Sequence, residues 1–194
     1  MSKHLPGHAQ IVIVGGGVVG SSIAYQLTKA GVSDVVLLER GVLTCGTSWH
    51  AAGLIMQLRG GHATTDIAKY NAEFYPELEA DTGLATGFKQ NGTLAIGRNM
   101  DRVHEMNRRA SLAKSFGIDA HVISPKEVKD MYPALDDSFV AGGLFIPKDG
   151  QLSPVDTINA VIAGAKKRGA KVFEGTPVDT MQRLPSGEYQ LSTK

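Results

Sequence analysis

The stretch QIVIVGGGVVGSSIAYQLTKAGVSDVVLLER, positions 10–40, limits the fold more than any other part of the chain. Ile11 to Val14 is a continuous apolar run, as expected of a strand buried on both faces of a parallel sheet. Glycines follow, then Val19, Ile23 and Leu27 on one side at helical spacing, with Gly31 as a stop. A second apolar run, Val35 to Leu38, ends in Glu39. Strand, helix and strand within about 30 residues make a βαβ unit of the length that binds dinucleotides.

Gly15, Gly17 and Gly20 spell G-x-G-x-x-G between that strand and that helix. The first glycine permits a tight turn, the second lets backbone approach a pyrophosphate, and the third allows close helix–strand packing. Val18 and Val19 lie at the start of the helix, whose unpaired N–H groups and partial positive charge favour phosphate. Glu39 stands at the end of the second strand, where a carboxylate accepts from ribose hydroxyls and repels a 2′-phosphate. The pattern predicts a dinucleotide site and does not choose between FAD and NAD.

The remainder reads as a helical and β-hairpin insertion at about 60–150, followed by a return to the α/β pattern. Ile67, Tyr70, Phe74 and Leu78 predict an amphipathic helix ending near Gly83. Asn91-Gly92 predicts a two-residue hairpin turn within GFKQNGTLAIGRN. Val103, Met106, Ala110 and Ala113 mark a further helix. Ser124 and Pro125 open a short one that Pro133 follows. Ser153-Pro154 starts a helix with Val155, Ile158, Ile162 and Ala165 inward, and Lys171 to Glu174 reads as another buried strand. VDTMQR and EYQLST form a hairpin around Pro185-Ser186-Gly187. Asp149-Gly150 reads as a turn. The division expected is a tail at 1–9 and one nucleotide-binding domain over 10–194. A dinucleotide fold needs strands beyond the last one read here, so the expectation is the incomplete N-terminal part of a two-domain protein.

Lys and Arg number 20 against 19 Asp and Glu, so no charge imbalance points to nucleic acid or an anionic membrane. The single cysteine, Cys45, excludes an internal disulfide framework. No apolar run reaches the ~20 residues that span a bilayer, and the N-terminus lacks the pattern of a signal or transit peptide. A soluble, cytoplasmic chain is expected, or a mitochondrial-matrix one if the source is eukaryotic. His4, His8, His62, His104 and His121 show no metal-ligand spacing, and no nucleophile–histidine–acid set can be picked out.

From ERGVLTCGTSWHAAGLIMQLR onward the chain resembles the N-terminal FAD-binding region of sarcosine and dimethylglycine dehydrogenases, within the D-amino-acid-oxidase-like flavoproteins. The likeness continues through DTGLATGFKQNGTLAIG, SFGIDAHVISPKEV, MYPAL, GGLFIPKDGQLSP and GAKVFEGTPV, and so covers nearly the whole chain after its first ten residues. It implies a Rossmann-like FAD domain. It also implies that His50, in the WHAAGL motif, attaches covalently to the 8α-methyl of FAD. A neutral imidazole is a suitable nucleophile for that carbon. Ala51, Ala52 and Gly53 leave room beside a flavin ring, and Trp49 and Leu54 supply apolar surface. By the same resemblance Thr47 and Ser48 face the FAD phosphates, Arg40 follows the ribose-binding acid and the Val178 backbone meets the adenine edge. Arg59 is a candidate partner for a substrate carboxylate. Cys45 receives no catalytic role.

The activity implied is oxidation of a CH–NH donor, an N-methylated amino acid such as sarcosine or dimethylglycine. A hydride passes from the N-methyl carbon to flavin N5 and leaves an iminium. The electron acceptor is an electron-transfer flavoprotein or oxygen. Tetrahydrofolate is implied only for a C-terminal module beyond these residues, and no general base is named. Two other readings share the scaffold, a non-catalytic regulatory protein and an oxygen-using amine oxidase. Residues 1–194 in isolation are expected to hold flavin poorly and not to turn over.

Overall fold

Ile11, Val12, Ile13 and Val14 are β-branched and suit a pleated sheet. In the computed structural model, which describes residues 4–193, they form β1 (Ile11–Val14). The first three residues of the expected tail, and Lys194, lie outside the described residues. Next come α1 (Val18–Lys29), β2 (Val35–Leu38), a 3-10 helix (Thr47–His50), β3 (Leu54–Ile55) and α2 (His62–Thr82). They are followed by β4 (Thr93–Gly97), α3 (Met100–Ser115), β5 (His121–Ile123), α4 (Pro125–Met131) and β6 (Gly142–Ile146). Last are β7 (Gly150–Gln151), α5 (Pro154–Lys167), β8 (Lys171–Phe173), β9 (Val178–Arg183) and β10 (Tyr189–Thr193).

The chain divides into two units. The first comprises Met1–Ala52, Glu77–Gly87 and Ser153–Lys194. Its centre is a parallel sheet in the order β1-β2-β8, with Val14 opposite Leu38 and Leu38 opposite Phe173. β2 is the middle strand and all its residues are buried, which explains an apolar run without alternation. α1 packs along α5. The Ser153 hydroxyl caps α5 by accepting the Asp156 N–H, and the helix buries Ile158, Val161, Ile162 and Ala165. β9 and β10 form the hairpin expected around Pro185-Ser186-Gly187.

The apolar side of α1 is the exposed one. Val19 is 70% exposed and Ile23 45%, whereas Ser21, Ala24, Tyr25 and Thr28 are buried. Two of those buried residues are polar, but each satisfies itself on nearby backbone. Ser21 Oγ donates to the Gly16 carbonyl at 3.2 Å and Thr28 Oγ1 to that of Ala24 at 2.9 Å. Tyr25 Oη donates to Asp81 Oδ2 at 2.8 Å, and Arg168 Nη2 donates to the same oxygen at 2.6 Å. The guanidinium also lies 4.9 Å from the centre of the Tyr25 ring. One carboxylate thus ties α1, the last turn of α2 and the C-cap of α5 together.

The second unit comprises Gly53–Pro76 and Phe88–Leu152. β4, β6 and β5 form an antiparallel sheet with β6 in the middle. Met106 and Ala113 of α3 pack with Leu58, Ile118, Leu144 and Ile146 in its core. α4 begins in a capping box between Ser124 and Glu127. The hairpin expected at Asn91-Gly92 does not form. Lys89 bridges to Gln151, and β4 pairs instead with β6, so both partners are distant in sequence. Of the four residues expected on one face of α2, Phe74 and Leu78 are buried and Ile67 and Tyr70 are exposed; Thr65, Ala68 and Ala72 are buried as well.

Candidate functional site

β1 runs into Gly15 at φ +104°, a conformation that L side chains rarely adopt. The Gly15 N–H donates to the Leu38 carbonyl at 2.8 Å, which fixes the turn to β2. A Cβ on Gly20 would lie 2.0 Å from the Gly15 carbonyl oxygen, so only glycine lets α1 start this close to the strand. α1 opens with N–H groups at Val18, Val19 and Gly20, which by helix geometry have no intrahelical acceptor. The Ser48 hydroxyl accepts the Val18 N–H at 3.0 Å. A Cβ on Gly17 would come within 3.2 Å of that hydroxyl. This cradle suits a pyrophosphate: backbone donors and the helix dipole converge beside glycines that keep side chains out of the way.

Glu39 is buried, and both of its carboxylate oxygens accept from backbone. Oε2 takes the Gly16 N–H at 2.7 Å and Oε1 the Gly41 N–H at 2.8 Å. Each oxygen keeps a second acceptor site for a hydroxyl. The acid therefore couples the glycine turn to the segment after β2, a role that sequence reading missed. The neighbouring backbone is zipped to the end of β8 and to the strand-to-strand connection after it. Glu39 N–H donates to Phe173, Thr176 N–H to Glu39 and Gly175 N–H to Gly41. That connection leads to Val178, which is half-buried at the start of β9, opposite Thr193. Arg40 is exposed and forms no ion pair among the described residues.

Between Glu39 and His50 the chain makes irregular turns. Thr44, at φ +72°, is the one non-glycine with positive φ among the described residues. Such a residue costs on the order of 1 kcal/mol and persists where its surroundings hold it. The 3-10 helix that follows carries Thr47, Ser48, Trp49 and His50, none of them buried. His50 Nδ1 is 3.2 Å from the Gly46 carbonyl oxygen, and Nε2 is 3.2 Å from the Trp49 indole nitrogen. A carbonyl can only accept and an indole N–H can only donate. Both contacts therefore assign one neutral tautomer, with the proton on Nδ1 and the lone pair on Nε2. Cys45 is exposed.

The glycine turn, Glu39, Arg40, Thr47, Ser48, His50 and Val178 all belong to the first unit, and Arg59 to the second. Arg59 is exposed, and its guanidinium makes no ion pair among the described residues. In the second unit Asp149 closes a turn by donating its N–H to the Ile146 carbonyl at 3.3 Å. It is 1% exposed and its Oδ1 accepts the Gln57 N–H at 2.8 Å, anchoring the segment two residues before Arg59. Its Oδ2 has no partner among the described residues. No local signal marks this pair, since 92 positions separate its members. Among the described residues no group of three or more His, Cys, Asp or Glu could hold a metal ion, and no helix is long and apolar enough to cross a membrane.

Residues 10–194 match the family model described as DAO, FAD dependent oxidoreductase. The chain belongs to this family. It is 42% identical over 178 residues to mitochondrial sarcosine dehydrogenase of Homo sapiens, covering 91% of this chain and 19% of that protein. It is also 34% identical over 174 residues to the mitochondrial pyruvate dehydrogenase phosphatase regulatory subunit of Mus musculus, covering 90% of this chain and 20% of that one. The crystal structure of L-proline dehydrogenase from P. horikoshii superposes with a TM-score of 0.89 at 29% identity, over 97% of this chain and 50% of that structure. This DAO-family chain thus spans about a fifth of the curated relatives' length. The cofactor that the family requires is FAD, and the cradle around Gly15–Gly20 and Glu39 fits its ADP half.

Proposed function

We propose that this chain is the flavin-holding part of an oxidoreductase acting on N-methylated amino acids of the sarcosine or dimethylglycine type, joined to FAD through His50. The observation that carries this reading is a surface imidazole with its lone pair on Nε2, eleven positions after a ribose-type acid, in a chain 42% identical to a sarcosine dehydrogenase. When bound, FAD supplies a two-electron acceptor for the hydride of the N-methyl carbon.

The protein's part is to bind and orient. The N–H groups of Val18, Val19 and Gly20, and the close backbone at Gly17, hold the pyrophosphate. Glu39 takes the ribose hydroxyls with its remaining lone pairs, and the Val178 backbone takes the adenine edge. Thr47 and Ser48 offer hydroxyls to the phosphates; Ser48 exchanges its Val18 partner for them without leaving the helix start. Arg40 adds positive charge beside the ribose-binding acid. Arg59 pairs with the substrate carboxylate, giving specificity for amino acids over simple amines. The electrons pass on to an electron-transfer flavoprotein or to oxygen.

A regulatory role on the same scaffold is the second reading, favoured by the 34% identity to a phosphatase regulatory subunit. Anaerobic mixing of the full natural protein with sarcosine or dimethylglycine separates the two. The enzyme reading expects bleaching of the flavin absorbance by an N-methyl amino acid and not by glycine. Absence of bleaching by any N-methylated amino acid would favour the regulatory reading. Peroxide formed stoichiometrically in air would identify oxygen as the acceptor.

A further inference from the structure

The two contacts on His50 divide its ring between two jobs. The Gly46 carbonyl fixes the proton on Nδ1, which leaves Nε2 as the imidazole's one nucleophilic atom. The Trp49 indole N–H then donates to that same lone pair at 3.2 Å, with the rings 76° apart and their centres 5.7 Å apart. A lone pair engaged as a hydrogen-bond acceptor is not available to form a bond to carbon. Yet Trp49 is 62% exposed, so little packing holds the indole in this position.

We propose that Trp49 is a gate on His50. Its indole N–H covers the nucleophilic nitrogen, and the indole must turn aside before flavin can be attached. The inference rests on the covalent reading proposed above. The net change it controls joins His50 Nε2 to the 8α carbon of the flavin. One hydrogen leaves that carbon and another leaves Nδ1, and dioxygen takes both with the electron pair as hydrogen peroxide. Trp49 takes no part in that chemistry; it positions and withholds the nitrogen. Its placement shields the nitrogen from adventitious electrophiles until the cofactor is seated.

The test compares the full natural protein with Trp49→Phe, which keeps an aromatic ring and removes the donor. Two rates are read on cofactor-free protein. One is carbethoxylation of His50 by diethyl pyrocarbonate, mapped by peptide mass spectrometry, which needs no flavin. The other is growth of flavin fluorescence on the denatured polypeptide after FAD is added in air. Both are expected to rise about fivefold in Trp49→Phe, the factor for one hydrogen bond of ordinary net strength. Equal or slower rates in the variant would overturn the gate. Faster carbethoxylation with no attachment in either protein would sink the covalent reading, and the gate with it.

Discussion

Gly20→Ala is expected to prevent flavin incorporation into the full natural protein and to lower stability by about 3 kcal/mol, the upper range for overpacking a tight site. The added methyl would stand 2.0 Å from the Gly15 carbonyl oxygen, a backbone atom that cannot rotate away. Either the turn opens or α1 shifts outward, and both moves displace the N–H groups of Val18 and Val19 from the place proposed for the pyrophosphate. Strain of ~3 kcal/mol expressed in binding alone is already about 100-fold in affinity. Gly7→Ala is the matched control, since a methyl there meets nothing within 4 Å. Urea unfolding of the cofactor-free proteins measures the first effect, and the visible flavin spectrum after gel filtration measures the second. Wild-type flavin content in Gly20→Ala would remove the cradle from the account.

The second large effect is expected at Asp81. This carboxylate receives both Arg168 and Tyr25 where α1, α2 and α5 meet, and its side chain is 27% exposed. Asp81→Ala leaves the phenol of a fully packed tyrosine and a half-sheltered guanidinium without their shared acceptor. A loss of about 2 kcal/mol follows, below the range for fully buried pairs because solvent still reaches the site. The Arg168 hydrogen bond, and then that of Tyr25, hold the Asp81 carboxyl below its ordinary value of 3.8. A carboxyl depressed in the folded state contributes stability that is present above its unfolded value and is lost as pH falls through the folded one. The wild type is therefore predicted to lose this contribution below about pH 4. The Tyr25 hydroxyl is raised above 10.0, first by burial and then by Asp81. Its contribution is complete below pH 10 and fades as pH rises through the raised value. Thermal unfolding of wild type and Asp81→Asn across acid pH checks the first limb: the variant's curve should be flatter below pH 4.

What could be read from sequence followed the range of the interactions involved. β1, the glycine turn, α1 and β2 were legible because strand run, turn glycines and helix start lie within one short window. The caps at Ser124 and Ser153 were legible for the same reason, each being settled within three residues. The hairpin at Asn91-Gly92 was misread because local turn chemistry competed with a better partner, β6, about 50 residues further on. On α2 the helical spacing picked out Phe74 and Leu78, which are buried, together with Ile67 and Tyr70, which are exposed, because apolarity alone does not decide burial. On α1 the buried face carries Ser21, Ala24, Tyr25 and Thr28, and the Ser21 and Thr28 hydroxyls satisfy themselves on backbone. Glu39 was placed correctly at the end of β2, but its grip on Gly16 and Gly41 depends on three-dimensional closure. Gln57 and Asp149 were out of reach altogether, since only the folded second unit brings them together. His50 stood out by its motif, whereas the division of its two nitrogens between Gly46 and Trp49 needed coordinates.

The central claim is that this chain carries FAD on His50. The full natural protein and His50→Ala, each produced with riboflavin supplied, would be denatured and separated by gel electrophoresis, and flavin fluorescence would be read on the polypeptide and in the soluble fraction. The account predicts fluorescence on the wild-type polypeptide and none on His50→Ala, whose flavin passes to the soluble fraction. Flavin released from both proteins would contradict the attachment, and flavin in neither fraction would contradict the account of the site as a whole.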